Sequence, residues 1–345
     1  MKKTALVMAL ILCLGMFAGC SAKNEKKVLR VYNWGEFIDE SVLADFEKQY
    51  PEYRVQYEVY TDNEIMYTKI KNSTTNYDVL FPSDYMIQRM IQEDMLAPLN
   101  FDNIPNYSKI GDSFKNMDFD PENKYSVPYM WGVLGILYDT TKVQEEHFTW
   151  NTMFDSKYKD SILMKKDMRD ALGVSLKSLG YSLNSTDEAE LSAAKDKLVA
   201  QMPNVLGYTN DEAMDKMIAG EAPMALQYAG DAFYCMSENE DLAFAVPEDG
   251  TNLFFDSMVI PKNSKNKEMA EKFINFMCEK EIAKRNAEEI GYFTPITEVM
   301  DALDEETRAF YPKQEILDKA EVYKYLGEEV TGKYEKIWSE FQASL

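Results

Sequence analysis

Between Val28 and Pro82 the chain alternates extended and helical stretches, and this alternation constrains the fold more than any other feature. Val28 to Trp34 is an apolar run between a lysine pair and Gly35, the pattern of a buried strand. Asp39 and Ser41 offer caps for a helix with Val42, Leu43, Phe46 and Tyr50 on one face, stopped by Pro51. Arg54 to Tyr60 alternates Val55, Tyr57 and Val59, as a strand does. Asn63 to Lys71 then reads as a second helix, and Tyr77 to Phe81 as a third strand ending at Pro82. Strands and helices in this order predict parallel strands joined by right-handed crossovers, hence an α/β fold. Ligands of open parallel sheets bind beyond the carboxyl ends of the strands, where Trp34, Glu36, Ser83 and Tyr85 fall.

The rest of the chain predicts a second lobe. Val127 to Asp139 is apolar and extended despite Pro128, Gly132 and Gly135, and can carry the chain out of the first lobe. Beyond it, Ser161–Lys165 and Pro223–Tyr228 read as strands, and Arg169–Leu179, Asp187–Ala200 and Asp211–Ala219 as helices, two of them closed by Gly180 and Gly220. Phe254 to Ile260 is extended again, is stopped by Pro261, and returns the chain to the first lobe. Two crossings make a hinge. Lys267 to Ile290 carries Met269, Phe273, Phe276 and Met277 at helical spacing, a core stripe, and the tail Glu315–Leu345 reads as an amphipathic helical segment clasping both lobes. The expected division is 28–134 with 256–303 for the first lobe and 135–255 with 304–345 for the second.

Residues 1–19 have the form of a secretory leader: Lys2 and Lys3, the apolar run Ala5 to Leu14, then small residues before Cys20. The Cys20 context resembles a bacterial lipobox, although Phe17 stands where an aliphatic residue is usual, so 20–27 is expected to be a lipidated linker. Loss of Lys2 and Lys3 takes the formal charge from −22 to −24, which disfavours nucleic acid and anionic membranes and attracts cations. Cys235 and Cys278 permit a disulfide, but two cysteines are no framework, and the apolar run around Cys278 favours a buried thiol. His147, the single histidine, stands among glutamates and reads as solvated. No glycine-rich phosphate loop, zinc spacing or nucleophile elbow is present, and no cofactor is expected.

What remains is a set of aromatic rings beside acids: Trp34-Gly35-Glu36-Phe37, Tyr228-Ala229-Gly230-Asp231 and Phe254-Phe255-Asp256. Ring faces attract cations and carboxylates bind ammonium groups, so together they suit an organic amine with apolar spacers. Each element also has a plainer reading. Asp167 and Asp170, three apart at a predicted helix start, can share a ligand or simply complement the helix dipole. Asp256, inside an apolar strand, needs a partner, which is either a structural cation or a ligand. Trp34 and Tyr228 fit a core as well as a site, and Pro82-Ser83-Asp84 is also a turn and cap sequence. A secreted carbohydrate-active enzyme using an acid pair is the alternative from another class, but among 59 acids such pairs arise by chance. A dry cluster of acids also holds its protons too tightly unless a cation relieves it, so binding outweighs catalysis.

At these residues the chain resembles the substrate-binding proteins of bacterial spermidine/putrescine ABC importers. The likeness covers nearly all of the mature chain and includes Tyr32–Phe37, Pro82–Tyr85, Val127–Gly132, Leu179–Ser182, Phe255–Pro261 and Gly291–Pro295. It implies a two-lobed periplasmic-binding-protein-like fold of type II, each lobe a mostly parallel sheet flanked by helices, closing over a polyamine and docking on a membrane permease. It further implies that Trp34 and Phe37 pack on methylenes, Glu36 bonds an ammonium group, and Ser83 and Tyr85 extend the first-lobe wall. The resemblance also implies that Asp167 and Asp170 hold the ligand from the second lobe, that Tyr228, Phe254 and Asp256 grip the rest of it, that Tyr292 adds a weaker contact, and that Tyr323 reaches toward the pocket. The expected protein is an extracytoplasmic, lipid-anchored monomer with no enzymatic activity. Asp170 stands where spermidine binders commonly have glutamate, and Tyr228 and Phe254 replace tryptophans of some members. The segment ending in Asp231 is similar to the putrescine-preferring branch, whose acid there contacts a terminal amine. Specificity is thus divided, with spermidine expected slightly ahead of putrescine. A quaternary amine or an amino acid is the alternative ligand on this fold, but the former needs few acids and the latter usually an arginine.

Overall fold

The computed structural model describes residues 26–210, 212–309 and 311–345; the leader, Cys20 and most of the 20–27 linker lie outside the described residues. The first lobe begins as the alternation predicts: β1 (Lys27–Trp34), α1 (Ser41–Gln49), β2 (Tyr53–Tyr60), α2 (Asn63–Asn72), β3 (Val79–Leu80) and α3 (Asp84–Gln92). β1 pairs in parallel with both β2 and β3. β2 is an edge strand, so its alternating Val59 is exposed while Tyr53 and Tyr60 are buried. The third strand is shorter than Tyr77–Phe81 because the Phe81 carbonyl leaves the ladder and accepts from the Trp34 indole N–H (2.8 Å) and the Tyr60 hydroxyl (2.7 Å).

β4 (Ser126–Asp139) is the first crossing. Its first half pairs antiparallel with β9 (Leu253–Val259), and its second half with β7 (Met224–Tyr228) and β8 (Leu242–Ala245). The change of partner falls between Val133, opposite Leu253, and Leu134, opposite Tyr228. Gly132 and Gly135 flank it because rings lie on the strand there: an added Cβ would sit 2.7 Å from the Phe254 ring at the first and 2.4 Å from the Phe244 ring at the second. The second lobe adds β5 (Ile162–Lys165), α4 (Met168–Ser178), α5 (Glu188–Gln201), β6 (Val205–Thr209), α6 (Glu212–Ile218) and α7 (Ala229–Glu238), with β5 parallel to β6 and β7. Strand order is β2-β1-β3-β9-β4-β7-β5-β6, with β8 on β4. In each lobe one strand opposes the others, β9 in the first and β4 in the second.

Two main apolar cores follow this division, one around Val31, Phe81, Phe255 and Phe273, the other around Trp150, Leu172, Leu226 and Phe341. The Lys267–Ile290 segment is two helices, α8 (Lys267–Met277) and α9 (Lys280–Ile290), broken where Glu279 turns extended; both pack on the first core, so the apolar spacing runs through the break. The tail is helical only over Gln314–Leu317 and α10 (Gly327–Gln342). Between them it is extended, because Glu321 exchanges backbone bonds with Thr251 and Leu253 at the crossing. It touches both lobes: Tyr325 N–H donates to Gln88 of α3 (2.8 Å), while the Tyr323 hydroxyl donates to the Arg169 carbonyl of α4 (2.8 Å). Cys235 and Cys278 are free and buried in different cores, so no disulfide joins them.

Candidate ligand-binding site

Where the lobes meet, the ends of β1, β3 and β9 face those of β5 and β7, with Tyr228 packed on Phe254 and Tyr292 bonded to Asp231. On the first-lobe side, Trp34 ends β1, and its indole bond to Phe81 fixes the ring over the strand ends. Ser83 occupies the N-cap position of α3 but makes no cap; its hydroxyl donates instead to Asp256 Oδ1 (2.7 Å) and accepts from Asn63 (3.1 Å). The capping reading of Pro82-Ser83-Asp84 therefore fails for the serine side chain. The cap belongs to the next residue, since buried Asp84 accepts from the backbone N–H groups of Tyr85 (2.7 Å) and Phe255 (3.1 Å) and so ties α3 to β9. Burial and the nearby Asp256 carboxylate push Asp84 up to about 8. Tyr85 donates to Glu64 (2.9 Å), whose carboxyl is raised by burial.

On the second-lobe side, Asp167 caps α4, accepting from Arg169 N–H (2.8 Å) and Asp170 N–H (3.1 Å) through one oxygen. Its second oxygen accepts nothing among the described residues, and its charge acts on Asp170, Tyr228 and, from the opposite lobe, Tyr85. Asp170 is 1% exposed and accepts from the hydroxyls of Tyr228 (2.6 Å) and Tyr323 (3.4 Å). Tyr323 approaches because Gly173 leaves room: a Cβ there would lie 2.6 Å from its hydroxyl.

Aromatic rings join the two walls. Phe254 meets Tyr228 edge to face at 5.2 Å and Tyr292 at 5.6 Å, and Tyr292 meets Phe37 at 5.6 Å. The Tyr292 hydroxyl donates to Asp231 (3.0 Å) in the first turn of α7, a bond between lobes. Gly230 permits it, since a Cβ would stand 2.7 Å from the Tyr292 ring. Phe37 is buried in the first core, and Glu36 is exposed on a turn at positive φ (51°), with no hydrogen bond among the described residues.

Asp170 and Asp256 hold the chemistry of the cleft. Both are buried, and neither forms an ion pair among the described residues; Asp170 accepts from tyrosine hydroxyls, and Asp256 accepts from the Ser83 hydroxyl with the Trp34 indole beside it. Desolvation pushes Asp256 up to about 7, against the pull of Ser83 and Trp34. Desolvation, with Asp167 adding repulsion, pushes Asp170 up to about 7 against the pull of Tyr228, Lys165 and Tyr323. A buried carboxylate without a cation is costly, and two of them facing a cleft invite a ligand with two positive groups. The structural-cation reading of Asp256 thus finds no cation among the described residues.

Sequence reasoning passed over Lys165 at the end of β5, whose ammonium lies 4.5 Å from the Tyr228 ring centre and 3.9 Å from Asp231. The one signal for it was a charge ending an apolar strand at the same level as Tyr228. His147 pairs with Glu248 on the surface (2.8 Å), remote in role from the cleft. Among the described residues no cluster of metal-ligating side chains occurs and no helix is long and apolar enough to cross a membrane.

A double-crossed hinge with strand ends converging on a cleft defines a two-lobed solute-binding protein. The chain belongs to the bacterial extracellular solute-binding protein family, whose model matches residues 41–312. It is 33% identical over 350 residues to the spermidine/putrescine-binding periplasmic protein of Salmonella typhimurium, covering 99% of each chain. The spermidine/putrescine ABC transporter substrate-binding protein of Streptococcus pneumoniae superposes with a TM-score of 0.83 at 42% identity, covering 92% of this chain and 99% of that one. The Tp0655 lipoprotein of Treponema pallidum superposes with a TM-score of 0.82 at 26% identity, covering 91% and 99%.

Proposed function

We propose that this protein is the extracytoplasmic binding component of a polyamine ABC importer, taking spermidine or putrescine between its lobes and presenting it to a membrane permease. The observation that carries the reading is the pair Asp170 and Asp256, two buried acids from opposite lobes that form no ion pair among the described residues. Two ammonium groups satisfy them, and the rings of Trp34, Tyr228, Phe254 and Tyr292 suit the methylenes between. Ser83 and Tyr323 orient the acids, Tyr85 and Phe37 complete the wall, Asp231 lies beside Lys165, and Asp167 and Glu36 add negative potential. The lobes divide at β4 and β9, and the ligand closes them about these two strands. No step of covalent chemistry is ascribed to the site.

The leader over 1–19 directs export, and Cys20 carries lipid that holds the monomer at the membrane; the lipoprotein relative from Treponema pallidum supports this reading. Cys20→Ala is expected to release the protein from the membrane fraction, and retention there would refute the anchor. The ligand is tested by calorimetric titration of the protein without Cys20, stripped of ligand, in roughly 0.15 M salt to screen nonspecific attraction. Saturable one-to-one binding of either polyamine is expected. A folded protein that binds neither would leave the family and fold standing and remove the polyamine.

A further inference from the structure

Lys165 ends the strand Ile162-Leu163-Met164-Lys165, whose other residues are fully buried. A lysine stem ordinarily runs along apolar surface so that its ammonium reaches water. Here the side chain is 9% exposed, and the ammonium stays inside the cleft, over the face of Tyr228 and against the Asp231 carboxylate. The same Tyr228 gives its hydroxyl to Asp170, and the lysine charge pulls on Asp170 as well. An ammonium on an aromatic face beside a carboxylate is the arrangement expected of a bound amine. In this chain the protein supplies that amine itself.

Taking the polyamine reading as the basis, we infer that Lys165 is a tethered cation that fills one amine position of the cleft and sets its selectivity toward ligands with two ammonium groups. Of the five acids at the site, Asp231 faces Lys165 and Tyr292, Asp167 caps α4 through one oxygen, and Glu36 is exposed. Asp170 and Asp256 are the two buried acids that form no ion pair among the described residues, so two ligand charges balance this pair. A third ligand ammonium must come to rest near Lys165, and like charges repel more strongly in a water-poor cleft than in bulk. Putrescine, with two amines, escapes that repulsion; spermidine, with three, does not. This reverses the order expected from sequence, because there Asp231 entered without its lysine.

The test is titration of ligand-stripped protein with putrescine and spermidine, for the natural chain, Lys165→Met and Lys165→Arg. The natural chain is expected to favour putrescine by about tenfold or more, and Lys165→Met, which keeps an unbranched stem without charge, to shift the ratio toward spermidine by a similar factor. Lys165→Arg keeps the charge and is expected to keep the preference for putrescine. Tighter binding of spermidine by the natural chain, or a ratio in Lys165→Met within about twofold of the natural one, overturns the role of Lys165. Should Lys165→Met fail to fold, Lys165→Gln, also uncharged, is titrated in its place, with the same shift expected and the same limit of about twofold overturning the role. Binding of neither ligand by the natural chain overturns the polyamine reading itself, a result distinct from binding with an unchanged ratio.

Discussion

If a diamine bonds Asp170 and Asp256, binding must expel protons, and the number follows from the site. Burial holds both carboxyls up to about 7 in the ligand-free protein. At pH 6 each is then about nine-tenths protonated, so ionising both against ligand ammonium groups releases nearly two protons; at pH 8 the release falls to about 0.2. The ligand amines, ordinarily near 10.4, stay charged throughout. Proton and ligand thus compete, and affinity is expected to be about 100-fold weaker at pH 6 than at pH 8 if both acids are coupled, or about tenfold if one is. Asp84, pushed up to about 8, stays out of this count because its oxygens accept backbone N–H groups whether or not ligand is present. The assay is calorimetry at pH 6 and pH 8, each in two buffers of different ionisation enthalpy, whose difference in apparent heat counts protons. An affinity that changes by less than about threefold, with heats independent of buffer at pH 6, would refute the reasoning.

The same shifts fix the sign for stability. These acids have folded values above their ordinary one, so between about pH 4 and 7 the native state binds more protons than the unfolded chain. Stability of the ligand-free protein is therefore expected to fall as pH rises through that window, by up to about 4 kcal/mol per carboxyl, with ligand restoring most of it above pH 7.

Asp256→Asn keeps the hydrogen bond of Ser83 within reach but removes the charge, and is expected to weaken polyamine binding by about 1.5–3 kcal/mol; titration showing unchanged affinity would take Asp256 out of the site. Gly230→Ala drives a methyl into the Tyr292 ring and should break its bond to Asp231, costing about 1–3 kcal/mol of stability or closure, read by denaturant melts with and without ligand. Burial pushes Cys235 and Cys278 up to about 12, so neither should react with an aromatic disulfide reagent in the native protein without Cys20, while both should in denaturant.

The first lobe was legible because its signals are local. Apolar period, Asp39 as a cap and Pro51 as a stop act within a few residues of the elements they define; Asp39 does accept from Ser41 N–H (2.9 Å) at the start of α1, although Glu40 takes the N-cap position itself. The errors arise where distant partners decide. Phe81 leaves its strand for two side-chain donors, and the segment around Glu321 is extended only because Thr251 and Leu253 offer it a ladder. Periodicity cannot see either.

The candidate site divides along the same line. Asp256 was visible because a carboxylate in an apolar strand is expensive anywhere, and Asp170 because a helix start gave it a place; neither needed knowledge of the fold. Lys165 is equally expensive in an apolar strand, yet it ends the run, where a lysine ordinarily escapes to water. What keeps it in is the neighbourhood that β7 and α7 bring, the Tyr228 ring and Asp231 some sixty residues later in the chain. An acid with no cation and a cation with no exit are complementary signs of one electrostatic design: the cleft carries enough negative charge for several amines and neutralises part of it from within. On the polyamine reading, the two buried acids that form no ion pair among the described residues then set how many charges the ligand brings.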